Sequence, residues 1–165
     1  PEGRVAVTPK MAYLMTRLLG AVVQEGTARY ALSLGRPAVG KTGTTQDMRD
    51  FWFVGYVPDL AAGVWIGYDD FLPLGKKGLA SSNTSVLLWT DFMRGAAKYL
   101  PARDFPVPSG IVFEKIDAVT GQLALPDCPH VALEAFEEGK APTELCAVNH
   151  EIVPDSSSVE SQITE

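Results

Sequence analysis

Residues 40–45, with the sequence GKTGTT, constrain the fold of this chain more than any other stretch. They place a lysine, three hydroxyl groups and two bare glycine backbones where an apolar lead-in gives way to polar residues. If the stretch is an extended strand, its side chains alternate between two faces. The lysine would then supply a cation near reacting groups, and a free backbone N–H could polarise a carbonyl. One face would carry Lys41, Gly43 and Thr45, and the other Thr42 and Thr44.

The same stretch also fits a phosphate-binding loop, because residues 35–42 match the pattern G-x-x-x-x-G-K-[ST]. Such a loop needs a strand before it and a helix directly after it, since the helix N-terminus helps to bind the phosphates. Here Gly43 and two β-branched threonines follow, which make a poor first helical turn. The aromatic run at residues 51–57 then predicts another strand. Strand, short turn and strand favour an antiparallel hairpin over a nucleotide-binding module.

The remaining patterns predict an α+β fold with an antiparallel sheet flanked by helices. Thr8-Pro9 opens a helix whose apolar residues recur at helical spacing as far as Gly26, a candidate C-terminal cap. Strands are predicted at 38–45, 51–57 and 61–68. Because both faces of the sheet are apolar, we expect both to be covered. A second helix opens at 82–84 and buries Val86, Trp89, Met93, Ala96 and Ala97.

The character of the chain changes after the prolines that follow Leu100. A strand at 111–117, a turn and a returning strand at 122–125 predict a small β-hairpin. One or two helical turns are expected at 131–138, and the polar residues after Val153 predict a disordered tail. We therefore divide the chain into a main body (1–104), an extension with the hairpin and both cysteines (105–150), and a disordered tail (151–165).

Composition excludes some partners. The net charge of −6 argues against nucleic acid, because phosphate neutralisation needs clustered lysine and arginine. No apolar run is long enough to span a membrane, and no signal peptide is visible.

The chain starts at Pro1 without methionine, so we expect a processed product, a cloned piece or a fragment. Cys128 and Cys146 could form one disulfide or remain two buried thiols, since spacing does not determine pairing. Asp69-Asp70 could bind a metal ion, but a strand end is the simpler interpretation.

Three stretches together resemble the C-terminal part of the transpeptidase domain of penicillin-binding proteins, and the bifunctional class that makes peptidoglycan fits best. They are GKTGTT at 40–45, DFWFVGYVPD at 50–59 and GVWIGYDD at 63–70. Their order, a lysine strand, an aromatic strand, a Pro-Asp turn and a Trp-containing strand, is far more specific than Lys-Thr-Gly alone. The residues after position 105 are similar to the C-terminal extension of many such proteins, so the resemblance covers about residues 1–147.

The family works with three motifs, Ser-x-x-Lys, Ser-x-Asn and Lys-Thr-Gly. Of these, only Lys-Thr-Gly is convincingly present in this chain. No Ser-x-x-Lys occurs in the chain, and Ser81-Ser82-Asn83 follows Lys-Thr-Gly although the family's second motif precedes it. The resemblance therefore implies a fragment without its serine nucleophile, which should not catalyse alone.

Within the whole enzyme, the resemblance implies acyl transfer through a serine ester, with peptidoglycan stem peptides ending in D-Ala-D-Ala as substrate and β-lactams as acylating inhibitors. Lys41 would support proton movement and the local positive field. The hydroxyls of Thr42 and Thr44 would hold the terminal carboxylate, and the Thr44 N–H would be one oxyanion donor. Gly43 would let the substrate lie flat, and Thr45 completes the predicted substrate-binding set.

The resemblance also implies a location and a set of partners. We expect the extracytoplasmic (periplasmic) face of the bacterial cytoplasmic membrane, with membrane contact only through an N-terminal region absent from this chain. No cofactor or metal ion is expected. A non-catalytic β-lactam sensor or binding domain is the other alternative, whereas the long segment after the last helix argues against a β-lactamase.

Overall fold

The computed structural model of the chain describes residues 4–74 and 82–147. The chain divides into two compact units, Pro1–Ile111 and Val112–Glu165. The helices and paired strands confirm the expected α+β class. In the part of the chain that the structure describes, neither helix has the length and hydropathy of a membrane span. Residues 75–81, including Ser81, and the predicted tail at 151–165 lie outside the described residues.

The first helix, α1 (Pro9–Gln24), begins where the sequence predicts. The Thr8 side chain accepts a hydrogen bond from the Met11 N–H at 3.2 Å, and proline occupies the first turn, where its missing N–H costs nothing. The helix ends at the cap residue Glu25. Gly26 follows, and its N–H donates to the Ala21 carbonyl at 3.2 Å. A Cβ at this position would lie 2.9 Å from the Val22 backbone, so the tight exit from the helix requires glycine.

The central sheet contains β1 (Val39–Thr44), β2 (Asp50–Val57) and β3 (Leu60–Gly67), in the order β1-β2-β3. Both neighbouring pairs are antiparallel, so the predicted three-stranded meander is confirmed. The short β1–β2 connection contains a three-residue 3-10 turn at Gln46–Met48.

One face of this sheet packs on the second helix, α2 (Ser82–Ala96). Trp89 and Phe53 are fully buried and meet edge to face, with ring centroids 5.1 Å apart. The Trp89 indole N–H donates to the Ala62 carbonyl at 3.0 Å, which satisfies its polar atom inside the core. Val86, Met93 and Ala97 are buried as predicted, whereas Ala96 is only partly buried. Helix α2 ends at Ala96 and a 3-10 turn continues it.

The opposite face of the sheet is only partly covered, so the expectation of two covered faces is wrong for the described residues. Helix α1 reaches its Tyr56 end, where the Thr16 and Tyr56 hydroxyls lie 2.8 Å apart. Beyond this contact Trp52, Val54 and Trp65 are 46%, 54% and 42% exposed. The apolar residues of a strand indicate that its face is covered in the whole protein. They do not show that the covering element lies in the same segment of chain.

In the second unit, β4 (Ile111–Asp117) pairs with β5 (Val131–Glu137), which corrects two expectations. Residues 131–137 form a strand and not a helical turn, because the strand satisfies the backbone groups along β4. The expected returning strand at 122–125 is reduced to isolated bridges from Leu123 to Ile116 and Leu145. Pro126 follows directly and cannot donate to a ladder.

Candidate functional site

The GKTGTT stretch lies on strand β1, at the edge of the described sheet. Just beyond the strand, the Thr45 N–H donates to the Asp50 carbonyl of β2 at 3.2 Å. In an antiparallel ladder, successive residues alternate between facing the partner strand and facing away from it. The Thr44 N–H therefore points to the outer edge of β1, where the described part of the chain places no further strand. This is the direction that an amide needs if it is to bind an added ligand.

Lys41 lies opposite Val54 in the ladder, on the face with the exposed aromatic residues. Its side chain is exposed, and its Nζ donates to the Thr42 carbonyl at 2.9 Å, with the Thr42 Oγ1 at 3.5 Å. The ammonium group is thus held beside the outer edge of β1. The Lys41 side chain therefore lies within reach of anything that pairs with this edge.

The Thr42 hydroxyl has a neighbour that the sequence did not suggest. Its Oγ1 lies 2.9 Å from the Thr27 Oγ1, and either hydroxyl can donate. Thr27 follows α1 and belongs to no motif, so only the three-dimensional structure could identify it. The contact restricts the orientation of the Thr42 hydroxyl and still leaves it a donor or an acceptor for a ligand.

The two glycines of the stretch have different surroundings. A Cβ added at Gly40 would lie 2.5 Å from the Phe53 Cζ and 2.8 Å from the Val54 carbonyl oxygen. A Cβ at Gly43 would meet only the Trp52 Cβ, at 3.3 Å. Gly40 is therefore required by packing inside the sheet, whereas Gly43 leaves a bare backbone on the partly exposed face.

The end of β1 is held by a buried carboxylate that sequence reasoning missed. Asp50 is 7% exposed; its Oδ2 accepts a hydrogen bond from the Thr45 hydroxyl at 3.2 Å, and its Oδ1 accepts one from the Trp65 indole N–H at 2.8 Å. The Asp50 N–H in turn donates to the Thr45 Oγ1 at 2.9 Å. The Thr45 hydroxyl is thus already used inside the chain, and a substrate contact by Thr45 stays a prediction. The available signal was an acidic residue directly before the predicted strand at 51–57.

The structure contradicts the phosphate-loop alternative. Gly40, Lys41 and Thr42 lie within a strand and not at a helix N-terminus, and a 3-10 helix at Arg29–Leu34 occupies the place of the required preceding strand. The amides that would surround a phosphate are therefore not gathered. Among the described residues, the grouping of metal-ligand type is Asp117, Cys128 and Cys146 in the second unit, and Asp69-Asp70 is not part of it.

Comparison with known proteins defines the class. The family described as "Penicillin binding protein transpeptidase domain" matches residues 1–73, which include β1, β2 and β3. Residues 1–73 therefore match part of the penicillin-binding transpeptidase domain. The family "Penicillin-binding protein 1A, C-terminal domain" matches residues 107–151, so within that class the chain corresponds to the C-terminal part of a protein of the 1A type.

Individual relatives agree with this assignment. Penicillin-binding protein 1A of Pseudomonas aeruginosa is 38% identical over 143 residues, and that of Aquifex aeolicus is 38% identical over 147 residues. The crystal structure of penicillin-binding protein 1A from Haemophilus influenzae superposes with a TM-score of 0.72 at 29% identity, over 85% of this chain and 22% of that one. The matched segments cover 86% and 89% of this chain but only 17% and 19% of the two sequence relatives.

Proposed function

We propose that this chain supplies the Lys-Thr-Gly strand of a peptidoglycan D,D-transpeptidase that works through an acyl-serine intermediate. The observation that carries the proposal is the outer edge of β1. There an exposed lysine, two threonine hydroxyls and an outward-facing amide lie within residues 41–44, on the edge strand of the described sheet. An extended peptide can add to such an edge as a further strand, with main-chain hydrogen bonds giving affinity.

The proposed reaction uses a serine from another part of the protein. Its oxygen attacks the carbonyl carbon between two D-alanines, the C–N bond breaks, and the terminal D-alanine leaves with a proton on its amine. An amine of a second stem peptide then attacks the serine ester, which forms the cross-link and returns the proton to the serine. A β-lactam would acylate the same serine and leave a stable adduct.

Four residues of β1 have a proposed role in this reaction. The Thr44 N–H donates to the oxygen of the tetrahedral intermediate, and removing one such donor typically costs about a hundred- to a thousandfold in rate. The Thr42 and Thr44 hydroxyls bind the terminal carboxylate, while Lys41 supplies positive potential and assists proton movement. Gly43 allows the substrate backbone to lie close to the strand.

The proposal extends to the arrangement of the chain and its surroundings. Residues 1–104 are assigned to the transpeptidase domain and residues 105–150 to the C-terminal extension. Stem peptides and β-lactams are the proposed partners, and the extracytoplasmic face of the cytoplasmic membrane is the proposed location. The resemblance to penicillin-binding protein 1A over residues 1–73 and 107–151 supports the proposed partners and the proposed location.

Intact mass of the full-length protein, measured before and after incubation with a penicillin, tests the proposal. The expected result is a stoichiometric adduct on a serine outside this chain. A folded protein that forms no adduct would overturn the acyl-serine proposal and leave a non-catalytic relative of the family.

A further inference from the structure

The buried side chains of the second unit form one small cluster. In residues 112–147 the buried residues are Asp117, Cys128 and Cys146, which are 0%, 9% and 1% exposed. A carboxylate oxygen and the two Sγ atoms all lie within 4.8 Å of one another. The strands around them form a sheet of only two members. A unit this small rarely buries enough apolar surface to be stable, and natural ones add disulfides, metal ions or partner subunits. The cluster occupies the place of an apolar core.

We propose that Cys128 and Cys146 form a disulfide that joins the segment before β5 to the segment after it. The backbone already brings the two segments together. The Cys146 N–H donates to the Leu123 carbonyl at 2.9 Å, and the Cys128 N–H donates to the Leu125 carbonyl at 3.1 Å. Both cysteines are therefore fixed to the short segment 123–125. They are also the only two cysteines of this chain, so within it each has a single partner.

A metal ion bound by the same three side chains is the competing interpretation, and the geometry favours it less. Oδ1 of Asp117 accepts hydrogen bonds from the Val119 N–H at 3.1 Å, the Thr120 N–H at 2.8 Å and the Thr120 hydroxyl at 3.0 Å. This carboxylate therefore already shapes the turn after β4. Structural zinc sites are closed by four protein ligands, whereas the described cluster provides three.

The oxidation follows ordinary thiol–disulfide exchange with a protein disulfide or glutathione disulfide as the oxidant. A cysteine thiolate attacks the oxidant and forms a mixed disulfide, and the second cysteine displaces the oxidant's remaining thiol. The chain loses two protons and two electrons, the Sγ–Sγ bond forms, and the oxidant becomes two thiols. Burial raises the pKa of the Cys128 thiol; the Leu125 N–H opposes this rise, and Cys146 and Asp117 reinforce it. Since the thiolate is the attacking species, the bond should form before the cluster is buried.

Peptide mapping tests the proposal directly. Trypsin cleaves after Lys115 and Lys140, which places Cys128 and Cys146 on separate peptides. Full-length protein is exported to an oxidising compartment, purified without reductant, treated with iodoacetamide and digested. The expected product is one linked species, two hydrogen atoms lighter than the sum of both peptides, that separates on reduction. In the Cys146→Ser control the Cys128 peptide should be alkylated instead.

Two results would overturn the proposal. One is the recovery of both peptides alkylated from the wild-type protein after denaturation in iodoacetamide. The other is one zinc ion per chain, measured by elemental analysis, with both thiols intact. Because mapping does not depend on the stability of a variant, it remains decisive even where Cys146→Ser folds poorly.

Limited proteolysis measures the effect of the proposed bond. Cleavage within residues 117–147 should become about a hundredfold faster after reduction, because the open chain regains the entropy that the cross-link removes. Cys146→Ser should be cleaved at this fast rate with or without reductant. Equal cleavage rates for oxidised and reduced wild-type protein would contradict a stabilising disulfide.

Discussion

At the scale of single residues, the GKTGTT stretch combines positions that serve packing with positions that are proposed to bind a ligand. Lys41, Gly43 and the Thr44 amide could be selected from the sequence because the lysine strand of the family presents them in this order. Thr27 and Asp50 could not be selected in this way. Their roles depend on contacts 15 and 5 residues away along the chain, and no local pattern encodes those contacts.

The two glycines give a prediction at this scale. We expect Gly40→Ala to destabilise the protein by about 1–3 kcal/mol, because the new methyl group would overlap the buried Phe53 ring. Gly43→Ala should change the unfolding free energy by less than about 1 kcal/mol, since it meets only the partly exposed Trp52. It should nevertheless slow β-lactam acylation of the full-length protein about a hundredfold by displacing the ligand from the strand.

Urea unfolding and acylation kinetics of both variants separate these effects. Each variant is the control for the other, since the same methyl group is added three residues apart on one strand. Equal destabilisation by both substitutions would contradict the distinction between packing and ligand-binding glycines.

At the scale of elements, the helical spacing of apolar residues predicted both helices, and runs of aromatic and β-branched residues between turn signals predicted the meander. The same signal failed at residues 131–137, where a short run mixes alanine, leucine and glutamate and fits either period. The partner β4 decides the outcome there, and pairing across a dozen residues is not visible in local sequence. The exposed side of the sheet was missed for a related reason, since periodicity does not show what covers an apolar face.

Asp50 gives the prediction at this scale. Asp50→Ala should lower the unfolding free energy by about 1–3 kcal/mol, because the Trp65 indole N–H and the Thr45 hydroxyl lose their acceptor at the closing end of the β1–β2 hairpin. Asp50→Asn retains an acceptor for Trp65 and should lose less. Chemical unfolding of both variants, followed by tryptophan fluorescence, measures the difference. If both variants lose the same unfolding free energy, the hydrogen bond from the Trp65 indole to Oδ1 does not account for the stabilisation by Asp50.

At the scale of the whole molecule, apolar surface marks where the described chain needs a partner. Met11, Met15 and Leu18 on α1 are 49%, 48% and 65% exposed, and Trp52 and Trp65 are exposed on the sheet. Exposed apolar patches are typical of interaction sites. Since the relatives are several times longer than this chain, the remaining part of the transpeptidase domain is the proposed partner.

The isolated chain should therefore be inactive. It contains no Ser-x-x-Lys sequence, so a fluorescent penicillin should leave it unlabelled while labelling the full-length protein. Denaturing gel electrophoresis with in-gel fluorescence makes the comparison, and penicillin pretreatment of the full-length protein is the control for specific labelling. Stoichiometric, penicillin-blocked labelling of the isolated chain would show that it carries its own nucleophile.

The most direct test of the central claim is the acylation rate of the full-length protein carrying Lys41→Ala. Lys41 is exposed and its substitution leaves the core intact, so the variant should unfold like the wild type. We expect acylation by a fluorescent penicillin to slow by about a hundredfold or more, because a charge beside the reacting groups is lost. Lys98→Ala, which removes another exposed lysine of the same chain, should react at the wild-type rate. If Lys41→Ala folds normally and also reacts at the wild-type rate, β1 is not the lysine strand of the active site.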